Sequence, residues 1–144
     1  GETEEESMRG VVERADPAPA DRIAGLLNRR VLPAIATGNA DRFGSAVAEV
    51  GRLNGTWYAD EQGGVYRPPV GQLVGALDAE PAVYGAGQSS WGPAVYGVTD
   101  TEHAAAARRA GEAALDDAGL DGRVVIASGR NRGVSIDSRR RLPE

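Results

Sequence analysis

Two short apolar runs, Ala82-Val83-Tyr84 and Ala94-Val95-Tyr96-Gly97-Val98, flank the segment Gly85-Ala86-Gly87-Gln88-Ser89-Ser90-Trp91-Gly92-Pro93. Strand-like runs this close in sequence leave one simple arrangement, an antiparallel pair, because a parallel crossover needs about a dozen residues or more. The second half of the chain therefore has to be built around a hairpin, with this segment as its connection. Glycines at 85, 87 and 92 allow backbone angles closed to other residues and let the main chain approach a ligand. Successive amides in such a turn can form an anion-binding nest. Gln88, Ser89 and Ser90 add side-chain donors, Trp91 offers a flat apolar face, and Pro93 fixes the exit. The connection is longer than the about two to five residues of most hairpin loops. Spacing alone leaves two readings open, a long hairpin turn with a core tryptophan and a loop for an anionic ligand. No Gly-x-Gly-x-x-Gly run leads into a helix, so a dinucleotide fingerprint is unsupported.

The rest of the chain is read around that hairpin. Met8 to Glu13 suggests a short strand, broken by Asp16-Pro17-Ala18-Pro19. A helix is expected from Ala20 or Asp21, with Ile23, Leu26, Leu27, Val31 and Ile35 as its apolar stripe and a kink at Pro33. Gly38-Asn39 ends it and caps a second helix lined by Phe43, Ala46, Val47, Val50 and Leu53. Trp57 to Tyr66 reads as a loop, and Pro68-Pro69 introduces a third helix through Leu73, Val74 and Leu77. Thr99 and Glu102 have capping-box spacing before an alanine-rich helix that ends at Gly119. Val124-Val125-Ile126-Ala127, a turn over 129–133 and Val134-Ser135-Ile136 suggest two further strands. The expected fold class is α+β in two layers, an antiparallel sheet with helices packed on one face.

A length of 144 residues suits a single domain. Cysteine is absent, which excludes a disulfide framework and a cysteine-ligated zinc site and fits a reducing, cytoplasmic setting. No run approaches the roughly 18 apolar residues of a membrane span. All 16 basic residues are arginine and the net charge is −5. That composition suggests a high-GC genome, and either codon bias or a salt-loving source accounts for the acidic excess. It argues against bulk nucleic-acid binding, which needs a basic patch. Arg139-Arg140-Arg141 reads as a solvated tail.

A second candidate site is Gln62-Gly63-Gly64-Val65-Tyr66-Arg67, where Gly63 and Gly64 permit close approach and Arg67 can grip a phosphate or carboxylate. An ordinary surface turn with an exposed arginine is the blander and favoured reading of this segment. His103, the single histidine, reads as a surface residue. The glutamates at 2, 4, 5 and 6 read as a solvated run, and Arg130-Asn131-Arg132 as a hairpin tip. No metal-ligand cluster and no serine elbow is visible.

The string Gly87-Gln88-Ser89-Ser90-Trp91-Gly92-Pro93-Ala94-Val95-Tyr96-Gly97 resembles the C-terminal region of the beta-ribofuranosylaminobenzene 5'-phosphate synthases, a branch of the GHMP kinase superfamily. Leu32-Pro33-Ala34, Asp41-Arg42-Phe43-Gly44 and Gln62-Gly63-Gly64-Val65-Tyr66 follow the same order, so the resemblance spans roughly residues 1–137. It implies a ferredoxin-like C-terminal domain and an enzyme that joins a hydroxy- or aminobenzoate to phosphoribosyl diphosphate, releasing carbon dioxide and diphosphate. The product is a C-riboside on the way to methanopterin-type carriers, which implies an archaeal source. Gly85, Gly87, Gln88, Ser89, Ser90 and Gly92 would contact phosphate, with Gly63, Gly64 and Arg67 on a second loop. Trp91 and Tyr66 would flank the aromatic acid, and magnesium would accompany the diphosphate. Ser90 and Trp91 depart from the small residues usual in the kinases and favour the synthase branch over an ATP-dependent kinase. Nothing here resembles the superfamily's Pro-x-x-x-Gly-Leu-Gly-Ser-Ser phosphate loop. The expectation is a domain that works with a separate N-terminal half and is inactive alone, with a homodimer through the face that half would cover as a further expectation.

Overall fold

The structure is a computed structural model that describes residues 2–130 and 132–134. Among them the order is α1 (Glu2–Arg14), α2 (Ala18–Leu26), a π-helical segment (Leu27–Val31), α3 (Leu32–Thr37), α4 (Ala40–Gln62), α5 (Val70–Asp78), β1 (Gly85–Gln88), β2 (Val95–Val98) and α6 (Ala104–Asp117). The fold is α+β and mostly helical. The two strands pair antiparallel, with Gly85 opposite Val98 and Gln88 opposite Val95.

The expected kink at Pro33 takes a specific form. Proline lacks the amide that would bond the Arg29 carbonyl, and its ring crowds that turn. The helix widens to π geometry just before it, and the Leu32 amide reaches back to the Leu27 carbonyl. The carbonyl of Arg29 instead accepts from the Arg42 guanidinium at 2.9 Å. Gly38 then adopts φ 65° and ends α3, while the Asn39 side chain accepts from the Arg42 amide at 2.8 Å and caps α4. Arg42 thus serves both ends of this corner.

The hairpin lies between helices. A Cβ at Gly85 would run into the Gly44 backbone and Ala48 of α4, and the Tyr96 hydroxyl donates to the Val47 carbonyl of α4 at 3.4 Å. On the other face Ala86 joins Val70 and Val74 of α5, Ala82, Val83 and Ala107 of α6 in the buried core. Helices therefore cover both faces of the hairpin, where one covered face was expected. The reason lies in α4. Gly44, Ala48, Gly51 and Gly55 form a stripe of small residues at helical spacing, and Gly44, Ala48 and Gly55 are buried. Gly44, Ala48 and Gly51 of this stripe, rather than the side chains of Phe43, Val47, Val50 and Leu53, meet the hairpin and the Tyr84 that precedes it, and Gly55 meets the loop at Val65. Of the expected α4 face only Ala46 is fully buried.

Several other expectations are corrected. Met8 to Glu13 lies within helix α1, since glutamate, methionine and arginine favour helix, the single Gly10 is tolerated, and no proline intervenes before Pro17. Trp57 to Gln62 continues α4, because nothing stops that helix before Gly63, whose φ of 84° and amide bond to the Ala59 carbonyl close it. The first strand starts at Gly85, after a turn in which the Val83 amide bonds the Glu80 carbonyl. Asp100, rather than Thr99, receives the His103 amide at 2.8 Å ahead of α6, while Thr99 donates to the Ala82 carbonyl. Val124 to Ala127 forms no ladder. Val124 packs on the bare surface of Gly111, and its carbonyl accepts from Arg108 of α6 at 3.0 Å, so α6 holds this segment. The last expected strand, Val134-Ser135-Ile136, and Arg139 to Arg141 fall largely or wholly outside the described residues, as does Asn131 in the expected turn. No helix among the described residues is long and apolar enough to cross a membrane.

Candidate functional site

The two candidate loops meet at one side chain. Gln88, the last residue of β1, accepts from the Arg67 amide at 2.7 Å through Oε1. Its Nε2 donates to Gln62 Oε1 at 3.0 Å and to the Ser90 carbonyl at 2.8 Å. Gln62, at the end of α4, donates in turn to the carbonyls of Gly64 and Val65, both at 2.9 Å. The 62–67 loop and the 88–92 turn are thereby joined edge to edge.

The turn is tighter than the glycine-bounded segment suggested. The Ser89 amide bonds the Ala94 carbonyl and the Gly92 amide bonds the Ser89 carbonyl, both at 2.9 Å. Ser90 adopts φ 51° and Gly92 φ 73°, left-handed angles that suit glycine and cost a residue with a Cβ. The hydroxyls of Ser89 and Ser90 are exposed, and the amides of Ser90 and Trp91 bond no acceptor among the described residues. These amides, the two hydroxyls and the exposed Arg67 guanidinium are among the donors open to an anion. Gly85 and Gly87 do not reach the turn. They lie buried in β1, where a Cβ on Gly87 would strike the Tyr96 ring.

Trp91 is neither a core residue nor fully exposed. Its ring meets Tyr58 edge-on, 4.9 Å between centroids at 74°. Tyr58, Trp91 and Tyr66 line a cavity of about 160 Å³, together with Asn54, Gln62 and Gln88. Burial pushes the Tyr66 phenol up from its ordinary value. Gly55 lies behind the second loop, and a Cβ on it would collide with the Val65 carbonyl. Sequence reasoning missed Gly55, Tyr58 and Gln62 as one face of a helix because it read Trp57 to Tyr66 as a loop. The spacing 51, 55, 58, 62 is the signal that identifies it.

At the opposite end of the hairpin, Tyr84, Asp100 and the half-buried His103 form a cluster. Tyr84 donates to Asp100 Oδ2 at 2.6 Å, and Asp100 Oδ1 lies 2.8 Å from His103 Nδ1. The Tyr84 hydrogen bond and the His103 contacts hold the Asp100 carboxyl down at about 2. The same hydrogen bond, aided by desolvation, pushes the Tyr84 phenol up to about 12. The carboxyl contributes stability that is present above the ordinary aspartate value and lost as pH falls toward about 2. The phenol contributes stability that is present below the ordinary tyrosine value and lost as pH rises toward about 12. Urea midpoints measured against pH should lose part of the acid limb in Asp100→Asn and part of the alkaline limb in Tyr84→Phe. Unchanged limbs in both variants would remove the cluster from the stability account.

Residues 31–117 match the family described as GHMP kinases C terminal. The chain belongs to that family. The chain is also similar to two curated proteins named beta-ribofuranosylphenol 5'-phosphate synthase. The protein of Methanothermobacter thermautotrophicus is 31% identical over 114 residues, covering 79% of this chain and 32% of the relative. That of Archaeoglobus fulgidus is 29% identical over 129 residues, covering 87% of this chain and 38% of the relative. The chain thus spans about a third of the length of these relatives. No solved structure gives a significant match.

Proposed function

We propose that this domain forms one wall of a phosphoribosyl-transferring site, in which a hydroxy- or aminobenzoate is joined to phosphoribosyl diphosphate with loss of carbon dioxide and diphosphate. The observation that carries the reading is the meeting of the two family-like loops at Gln88, beside a cavity with three aromatic side chains. Ser89, Ser90, Gly92 and the amides at 90 and 91 face the phosphate groups, with Arg67 as a cationic grip. Gly63 and Gly64 shape the second loop. Gly85 and Gly87 act from behind by letting β1 seat against α4 and Tyr96. Trp91 and Tyr66, joined by Tyr58, flank the aromatic ring. Fixed donors of this kind favour departure of diphosphate as the bond from the ribose carbon to its oxygen breaks and the bonding pair leaves with the diphosphate. The ring carbon forms the new bond to the ribose, and the electrons of its bond to the carboxylate return to the ring as carbon dioxide departs.

Among the described residues no group of three or more acidic or histidine side chains is arranged to hold a metal. Magnesium enters this proposal as the companion of the diphosphate rather than as an ion held by this wall. The remaining wall belongs to a phosphate-binding partner domain. Leu27, Leu32 and Ile35, exposed on the π segment and α3, offer an apolar face for that domain or for a second copy of this chain. A constant monomer mass by light scattering across concentrations would count against the second copy.

A ferredoxin-like sheet is also part of the proposal. A groove of about 700 Å³ runs along β2 and is walled on its far side by the segment that includes Val124 to Ala127. A strand seated there would join β2 to that segment. Added amide protection along β2 when the partner domain binds is the expected result, and unchanged protection would contradict it.

The second reading, an ATP-dependent small-molecule kinase, is favoured by the family match itself. Turnover of ATP with candidate alcohols by the domain joined to its partner would decide for it.

A further inference from the structure

We infer that Gln88 and Gln62 form a one-way amide relay that makes the two loops a single preorganised unit, with Gln88 a positioning residue rather than a ligand donor. The inference deepens the proposed function and rests on it for the identity of the ligand, but its geometry is independent of that reading. The polarity of the relay is set at one end. Gln62 Nε2 faces two main-chain carbonyls, of Gly64 and Val65, which can only accept. The Gln62 oxygen must therefore face Gln88, and Gln88 must offer it an N–H. The second N–H of Gln88 goes to the Ser90 carbonyl. Gln88 Oε1 is then left to accept from the Arg67 amide.

Both amide groups thus spend all their N–H donors inside the protein, and none remains for a phosphate. What Gln88 supplies is order. One amide ties together the end of β1, the turn at Ser90, the loop at Arg67 and the end of α4 at Gln62. Trp91 leans on Tyr58 of the same α4 face, which gives the turn a second attachment to that helix. Loops ordered before the ligand arrives do not lose that conformational freedom on binding. Each relay position uses two donors and one acceptor, which among side chains of this length only glutamine provides. A carboxylate at 62 would face two carbonyls, and one at 88 would face the Gln62 oxygen and the Ser90 carbonyl.

The test is residue-resolved amide exchange on the 144-residue chain, comparing Gln62→Glu, Gln88→Glu and Gln88→Met with wild type. Gln62 makes no bond to the 89–92 turn or to the Arg67 amide. Gln62→Glu is nevertheless expected to raise exchange about tenfold both at Arg67 and at the Ser89 and Gly92 amides, and Gln88→Met to do the same. A Gln62→Glu variant that loosens only residues 62–66 would overturn the relay. Protection in the α4–β1 core serves as the folding control. If Gln88→Glu loses that protection, Gln88→Met carries the comparison. In a second arm, inorganic diphosphate with magnesium is titrated into each protein joined to the phosphate-binding partner domain. Equal weakening by Gln62→Glu and Gln88→Met, with no further loss in the double variant, supports the relay. Additive losses would contradict it. Failure of wild type to bind diphosphate would overturn the functional reading alone and leave the exchange arm to judge the relay.

Discussion

Gly85→Ala is expected to lower the unfolding free energy by about 3 kcal/mol, the upper end of what overpacking a core costs. The new methyl would meet the Gly44 carbonyl and the Ala48 methyl. Helix backbone cannot rotate aside as a long side chain can, so either α4 or β1 has to shift. Gly44→Ala approaches the same contact from the other side, with Tyr84 backbone and Cβ atoms 2.9 Å away. It should be comparably destabilising. Gly75→Ala in α5 is the contrast. Nothing lies within 4 Å of its added methyl, and removing a helical glycine should stabilise the chain by about 0.5–1 kcal/mol. Urea unfolding of the three variants gives the comparison. A loss below 1 kcal/mol for both Gly85→Ala and Gly44→Ala would mean that α4 and β1 are not packed backbone to backbone.

On the proposed function, Trp91→Ala is expected to weaken binding of a hydroxy- or aminobenzoate by roughly 10- to 100-fold, corresponding to about 1.4–2.8 kcal/mol. Binding of diphosphate should change by no more than about threefold on that scale. The asymmetry follows from position. The indole lines the cavity shared with Tyr58 and Tyr66, whereas the turn's open donors are the hydroxyls of Ser89 and Ser90 and main-chain amides, which alanine at 91 leaves in place. Trp91→Phe should recover most of the lost affinity, since it restores a ring against Tyr58. The two ligands, titrated separately into the domain joined to its partner, provide the measurement. Equal losses for both would assign Trp91 to the shape of the turn rather than to an aromatic subsite.

The hairpin, the helix over residues 40–53, the Gly38-Asn39 corner and α5 were legible in the sequence because each rests on local chemistry. Asn39 caps, Gly38 takes a left-handed angle, and the apolar residues of α5 recur at helical spacing. What escaped was decided by packing. The glycines of β1 looked like loop residues, yet Gly85 and Gly87 are bare because α4 and Tyr96 need the space. No local rule separates a glycine kept for a turn from one kept for a contact distant in sequence. The run Val124 to Ala127 has strand composition, but its partner here is α6 through Gly111 and Arg108. The site was half legible. Both loops were visible as glycine-rich segments with donors, and Tyr66, Arg67, Gln88 and Trp91 were among their residues. Their junction was not visible, because Gln62 and Tyr58 become neighbours of Gln88 and Trp91 only when α4 runs unbroken to Gly63.

On the proposed function, these joined loops serve phosphoribosyl transfer rather than phosphoryl transfer. Calorimetric titration of the domain joined to its phosphate-binding partner, with phosphoribosyl diphosphate in one experiment and ATP in the other, both with magnesium, tests it most directly. Binding of phosphoribosyl diphosphate that Arg67→Ala weakens, and no comparable binding of ATP, is the expected result. Saturable ATP binding with none of phosphoribosyl diphosphate would contradict it and favour the kinase.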